Sequence, residues 1–126
     1  MTGKLDLETM HAIPYVVSRS PDCFIRTTQD MLDILSWGAE RGTNLYLFEE
    51  FNFSPEFYDL STGLAGEILQ KCSNYRLKLV IVGSFTGITS LRFREFMTES
   101  NRGSQVRFVA QWSEATDWCV SSRTGP

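Results

Sequence analysis

Residues 57–83 read FYDLSTGLAGEILQKCSNYRLKLVIVG, and the way this stretch divides decides the fold. Leu64, Ala65, Ile68, Leu69 and Cys72 recur at helical spacing and make one apolar face, while Glu67 and Lys71 form an i, i+4 pair of favoured polarity outside it. Asn74 is the expected stop. Residues 77–82 are then an almost unbroken apolar run between Arg76 and Gly83, the pattern of a strand covered on both faces. A helix running straight into a doubly covered strand is the repeating unit of α/β proteins, and the flanking sequence supplies more of them.

Upstream, LYLF at 45–48 is a short apolar strand. Before it, Met31, Ile34, Leu35, Gly38 and Ala39 share one helical face, with Thr27 and Asp30 as a capping box and Gly42 placed to end the helix in the left-handed conformation. Residues 5–7 and 13–18 read as two strands of a hairpin. Pro14 cannot donate to a ladder, which puts the hairpin at a sheet edge or starts its second strand near Tyr15. Residues 49–56 read as an aromatic loop closed by Pro55. Downstream, a third helix carries Phe93, Phe96 and Met97 inward and closes at Gly103, a strand follows at 106–110, and Ser113 caps a short final helix with Ala115, Trp118 and Cys119 on its apolar side. Residues 121–126 read as a frayed tail. The expected fold is one α/β domain over residues 1–126: a sandwich with an N-terminal hairpin, helix-strand repeats, and a mixed sheet of about five strands with about four helices.

The composition, 42% apolar and 21% charged, is that of a globular chain, and 126 residues bury enough surface for a core without disulfide or metal. A net charge of −3 argues against a general nucleic-acid binder. No apolar run approaches the ~20 residues that span a bilayer, and the N-terminus lacks a signal-peptide pattern, so a cytoplasmic location without membrane contact is expected. Three cysteines without CxxC spacing fit reduced thiols. No cofactor or metal is expected, since His11 is the only histidine and stands alone in a hairpin turn.

The string YDLSTGLAGEILQKCSNYRLKLVIVG at 58–83, followed by FMTESNRGSQVRFV at 96–109, closely resembles the bacterial family DUF4180, a domain of unknown function. The likeness covers residues 27–109, and the family name carries no activity. The element order and the run DLSTGL at 59–64 also look like the STAS domains of anti-sigma factor antagonists. That resemblance implies a STAS-like fold and a regulatory role, because in those antagonists a serine just before the matching glycine is phosphorylated by a partner kinase. Aligned on Gly63, the equivalent position is Thr62, with Ser61 beside it.

The candidate sites follow from these elements. At the start of the central helix, the backbone N–H groups near Thr62, Gly63 and Leu64 can hold an anion, and Asp59, Ser61, Thr62 and Gly63 are the candidates for anion binding or phosphorylation; the plainer role of Asp59 or Ser61 is to cap the helix. Gly66 costs stability inside a helix, which close approach to the sheet, a ligand or a partner helix would explain. Glu49 and Glu50 leave a strand at its carboxyl end, where they can meet Arg76 or Arg102, and with Tyr58 they are the residues an enzyme would use here; a solvated turn or ion pair is the plainer reading. Arg92, Arg94, Arg102 and Arg107 are interleaved with Glu95 and Glu99, a solvated face rather than a basic patch. Phe51 and Phe53 mark an oligomer or partner interface if the fold leaves them exposed. The expectation is a non-enzymatic protein-interaction or regulatory module, with a homodimer or another protein as partner; a small-ligand or anion-binding domain is the alternative.

Overall fold

The structure is a computed structural model that describes residues 4–124. Strands β1 (Asp6–Met10) and β2 (Ile13–Val17) form the hairpin, followed by helix α1 (Thr28–Glu40), β3 (Leu45–Glu49), helix α2 (Leu64–Asn74), β4 (Lys78–Val82), helix α3 (Leu91–Arg102), β5 (Val106–Val109) and helix α4 (Trp112–Thr124). The sheet runs β1-β2-β3-β4-β5. β1 is antiparallel to β2, and the other neighbours are parallel. The class is therefore α/β with a mixed five-stranded sheet and four helices. Its strand order repeats the order of the chain.

The alternation of strand side chains sorts the core into two layers. Val16, Tyr46, Phe48, Leu79, Ile81, Val106 and Phe108 point to one face, where they meet Met31, Ile34, Ala65, Ile68, Cys72 and Phe93 from α1, α2 and α3. Leu45, Leu47, Val80, Val82 and Val109 point to the other, which Ala115 and Cys119 of α4 cover. Successive parallel strands joined by crossovers of one hand, each stepping the same way, place α1 to α3 on the same side. α4 crosses to the opposite face only after the last strand.

The hairpin lies at the sheet edge, and its turn holds His11 and Ala12 at φ 49° and 64°, without a glycine. Pro14 pairs with Thr9, while the β2–β3 ladder starts only at Val16, so the missing N–H costs no bond there. Thr27 and Asp30 close the capping box of α1, and Gly42 follows its end at φ 77°. Three helical assignments differ from the sequence reading. Ala39 is exposed rather than buried. α4 begins before Ser113, with Gln111 accepting from the N–H groups of Glu114 and Ala115. It also continues through residues 121–124, read above as tail, while 125 and 126 lie outside the described residues.

Gly38 has a packing role that periodicity alone does not reveal. A Cβ built there would lie 2.2 Å from the Tyr46 hydroxyl. That hydroxyl, fully buried, donates to the Leu35 carbonyl at 3.0 Å, and burial pushes the phenol up to about 12. The missing side chain of α1 is the space in which a strand tyrosine closes its only hydrogen bond. Gly38→Ala is expected to cost about 3 kcal/mol through overpacking and loss of that bond. A midpoint of urea unfolding equal to wild type would refute this account.

Candidate functional site

Between β3 and α2 the chain makes three short 3-10 turns, Glu50–Asn52, Pro55–Tyr58 and Leu60–Thr62, where the sequence indicates a loop and a capped helix start. The first turn is built on Asn52, which is fully buried. Its Nδ2 donates to the carbonyls of Ser20 (3.1 Å) and Asp22 (2.9 Å), and its Oδ1 accepts from the Glu49 N–H at 2.9 Å. Its own carbonyl accepts from the N–H groups of Phe24 and Ile25, and Ser54 donates to the Ile25 carbonyl. One amide thus sews residues 20–25 to residues 49–54. Asn52 is not among the sequence candidates; an Asn between two Phe residues, where the chain must leave a buried strand, is the signal that could have found it.

Phe51 and Phe53 flank Asn52 and go opposite ways. Phe53 forms a β-bridge with Ile25 and is 3% exposed, stacked 4.6 Å from Phe57. It is core, and its candidacy as an interface residue is withdrawn on that ground. Phe51 is 49% exposed.

Glu50 is held from three sides. Its carbonyl accepts from the Tyr58 hydroxyl at 2.6 Å, and its Oε1 accepts from the Phe85 N–H at 3.0 Å. Gly83 leaves room for it, since a Cβ there would lie 2.5 Å from that same oxygen. Phe85 sits at φ 56°, a conformation unfavourable for an aromatic residue, and its ring is buried against Phe108. Burial, with the nearby Glu50 charge, pushes the Tyr58 phenol far above its ordinary value, so it stays a donor. Glu49 accepts from the Trp112 indole at 2.9 Å, which ties β3 to α4. These carboxylates each serve a different neighbour.

Two open depressions share Glu50, Pro55 and Tyr58. One, about 360 Å³, is completed by Gly87, Ile88, Thr89 and Ser90. The other, about 400 Å³, is completed by Cys23, Phe51 and Phe53. Both lie at the carboxyl end of β3. A larger cleft of about 620 Å³ runs between α1 and the end of α2, where Asp33 is already bonded to Gln29.

The helix-start site is rearranged by the extra 3-10 turn. Asp59 caps that turn, accepting from the Ser61 N–H and hydroxyl, and these bonds hold its carboxyl below the usual range. The Thr62 and Gly63 N–H groups bond the carbonyls of Asp59 and Leu60, and the Leu64 N–H bonds the Thr62 hydroxyl. Gly63 itself is the N-cap of α2, at φ 81°. The donors read as open to an anion at 62–64 are therefore engaged within the chain. Glu67 turns to the Thr28 hydroxyl of α1 at 2.6 Å rather than along its own helix to Lys71.

The remaining candidates separate. Gly66 is exposed, and a Cβ there would meet nothing within 4 Å, so close packing on the sheet is not its reason. It lines a groove of about 370 Å³ with Ser73, Ser100 and Gly103 between α2 and α3. Arg76 is exposed at the amino end of β4, where its carbonyl accepts from Asn44, at the opposite end of the sheet from Glu49 and Glu50. Arg102 pairs with Glu99 on α3. Arg107 donates to the Asn101 carbonyl and stacks on Trp118 with Lys78. Among the described residues, no group of three His, Cys, Asp or Glu side chains could hold a metal, and no helix is long and apolar enough to cross a membrane.

The model of the family described as Domain of unknown function (DUF4180) matches residues 10–119, and the chain belongs to that family. No curated protein and no solved structure matches it.

Asn52→Ala would leave two carbonyls and an N–H unpaired in a buried turn, at a cost of about 3 kcal/mol. Amide exchange should rise first at Phe24, Ile25 and Ser54. Unchanged protection there would show that the turn holds without the amide.

Proposed function

We propose that this DUF4180 chain is a non-enzymatic protein-interaction module whose contact face is the carboxyl end of the sheet around Phe51. The observation that carries this reading is an aromatic ring left half exposed on a turn that buried hydrogen bonds hold rigid. An exposed aromatic on a fixed mount loses little entropy on docking, which is what interface anchors require. The depressions beside it are open and shallow. Parallel strands that step in one direction, with no reversal of winding, lack the crevice in which α/β sheets usually enclose small ligands. The alternative of an anion site at the helix start is disfavoured by the engaged N–H groups of Thr62, Gly63 and Leu64.

The partner in this proposal is a second copy of the chain or another protein, met in the cytoplasm. Phe51→Ser removes the anchor and little else, so stability should fall by less than about 1 kcal/mol. Self-association by sedimentation velocity should then be lost, and a photocrosslinking residue placed at position 51 of the otherwise wild-type chain should form a discrete adduct in the native host. A wild-type chain that stays monomeric and gives no adduct would sink the proposal.

A switch at the neighbouring turn belongs to the same proposal and agrees with the STAS-like reading of the sequence. Ser61 is the better seat for phosphate. Its hydroxyl is exposed on Asp59, whereas the Thr62 hydroxyl is bonded to the Glu56 and Asp59 carbonyls and to the Leu64 N–H. Phosphate on Ser61 adds about −1.5 to −2 charges beside Asp59 and breaks its cap. Intact mass of the chain from its native host, before and after phosphatase, should reveal a species about 80 Da heavier that Ser61→Ala abolishes. A single unmodified mass across growth conditions would remove the switch.

A further inference from the structure

Among the described residues, Glu50 is the only formally charged side chain lining either depression; the rest of their walls are aromatic, aliphatic or neutral polar. Its Oε1 is taken by the Phe85 N–H, while among the described residues Oε2 has no donor within hydrogen-bond distance and is not among the buried, unpartnered atoms. A carboxylate oxygen without a hydrogen-bond partner among the described residues thus belongs to a depression that Phe51 and Tyr58 also line. Its position is fixed by its backbone bond to Tyr58, by the Phe85 contact and by the absence of a side chain at Gly83. Such a site favours a cation carried on an apolar stem. The charge meets the carboxylate, the stem lies along the rings, and the aromatic faces add attraction. An anionic or purely aliphatic group would leave Oε2 repelled or unpaired.

We propose that the partner's docking segment presents an arginine or lysine to Glu50 Oε2, with its stem packed between Phe51 and Tyr58. This rests on the interaction reading above and names the chemistry of the partner. The occupant is a protein segment, because the depression opens beside the exposed ring of Phe51, the contact anchor of the interaction reading.

The test compares wild type with Glu50→Gln. Glutamine keeps an oxygen to accept from Phe85, so the thermal midpoint should move little, while the charge is gone. With the photocrosslinker at position 51 in the native host, Glu50→Gln should lower the adduct about tenfold, the loss of one charge-assisted contact. Peptide mapping of the wild-type adduct should place an Arg or Lys within about three residues of the crosslink, the reach of an extended segment. For the reconstituted pair, raising salt from about 0.05 to about 0.5 M should weaken wild-type binding more than that of the Gln variant. An adduct undiminished in Glu50→Gln, a crosslink far from any basic residue, or equal salt dependence would overturn the cation assignment and leave the interaction reading standing. Absence of any wild-type adduct would overturn both. If the Gln variant folds poorly, the salt dependence and mapping of the wild type decide alone.

Discussion

The carboxyl end of this sheet depends on one buried amide. When β3 leaves the core after Phe48, its backbone must find partners without a neighbouring strand to supply them. Asn52 provides them with both ends of its side chain and with its own carbonyl, binding Ser20, Asp22, Glu49, Phe24 and Ile25. Phe53 is thereby directed inward, where it joins Phe48 and Phe57, and through Phe57 the chain of rings reaches Phe93 and Phe108. Phe51, displaced one step along a tight turn, points out. The same constraint that completes the core creates the exposed ring.

How much of this could be read beforehand depended on whether the signal was local. The periodicity of α1 and α2, the run LKLVIV and the pair Thr27 and Asp30 are local, and they gave α1, α2 and β4, while the family came from the resemblance of the strings at 58–83 and 96–109. Gly63 was legible as a special position, but its role changed. It caps α2 in a left-handed conformation because a 3-10 turn occupies residues 60–62, and that turn consumes the donors expected to be open. Phe51 and Phe53 look equivalent in sequence and are distinguished only by the pairing of Phe53 with Ile25, twenty-eight positions away. Gly38 and Gly66 likewise look alike on their helices. A tyrosine from β3 explains the first, and no contact among the described residues explains the second.

The electrostatics follow the same division between the two faces of each residue. Glu50 gives one carboxylate oxygen to the backbone of Phe85, and among the described residues the other has no hydrogen-bond partner. Tyr58 gives its hydroxyl to the Glu50 carbonyl and its ring to both depressions. Side chains that are half committed to structure hold their free half in place.

The strand order carries a consequence for how the chain comes to be folded. Because β1 to β5 lie side by side in the order in which they are written, each helix-strand unit docks on the one made immediately before it. During synthesis the sheet can grow at one edge, with no gap left for a later strand to enter. The contacts that span the most chain form after that growth is complete: α4 crosses the back of the sheet, and Trp112 reaches Glu49 across sixty-three residues. The helix that fastens the end of β3, next to Glu50, follows every strand in the chain, so the proposed contact face reaches its final form only after α4 has been made.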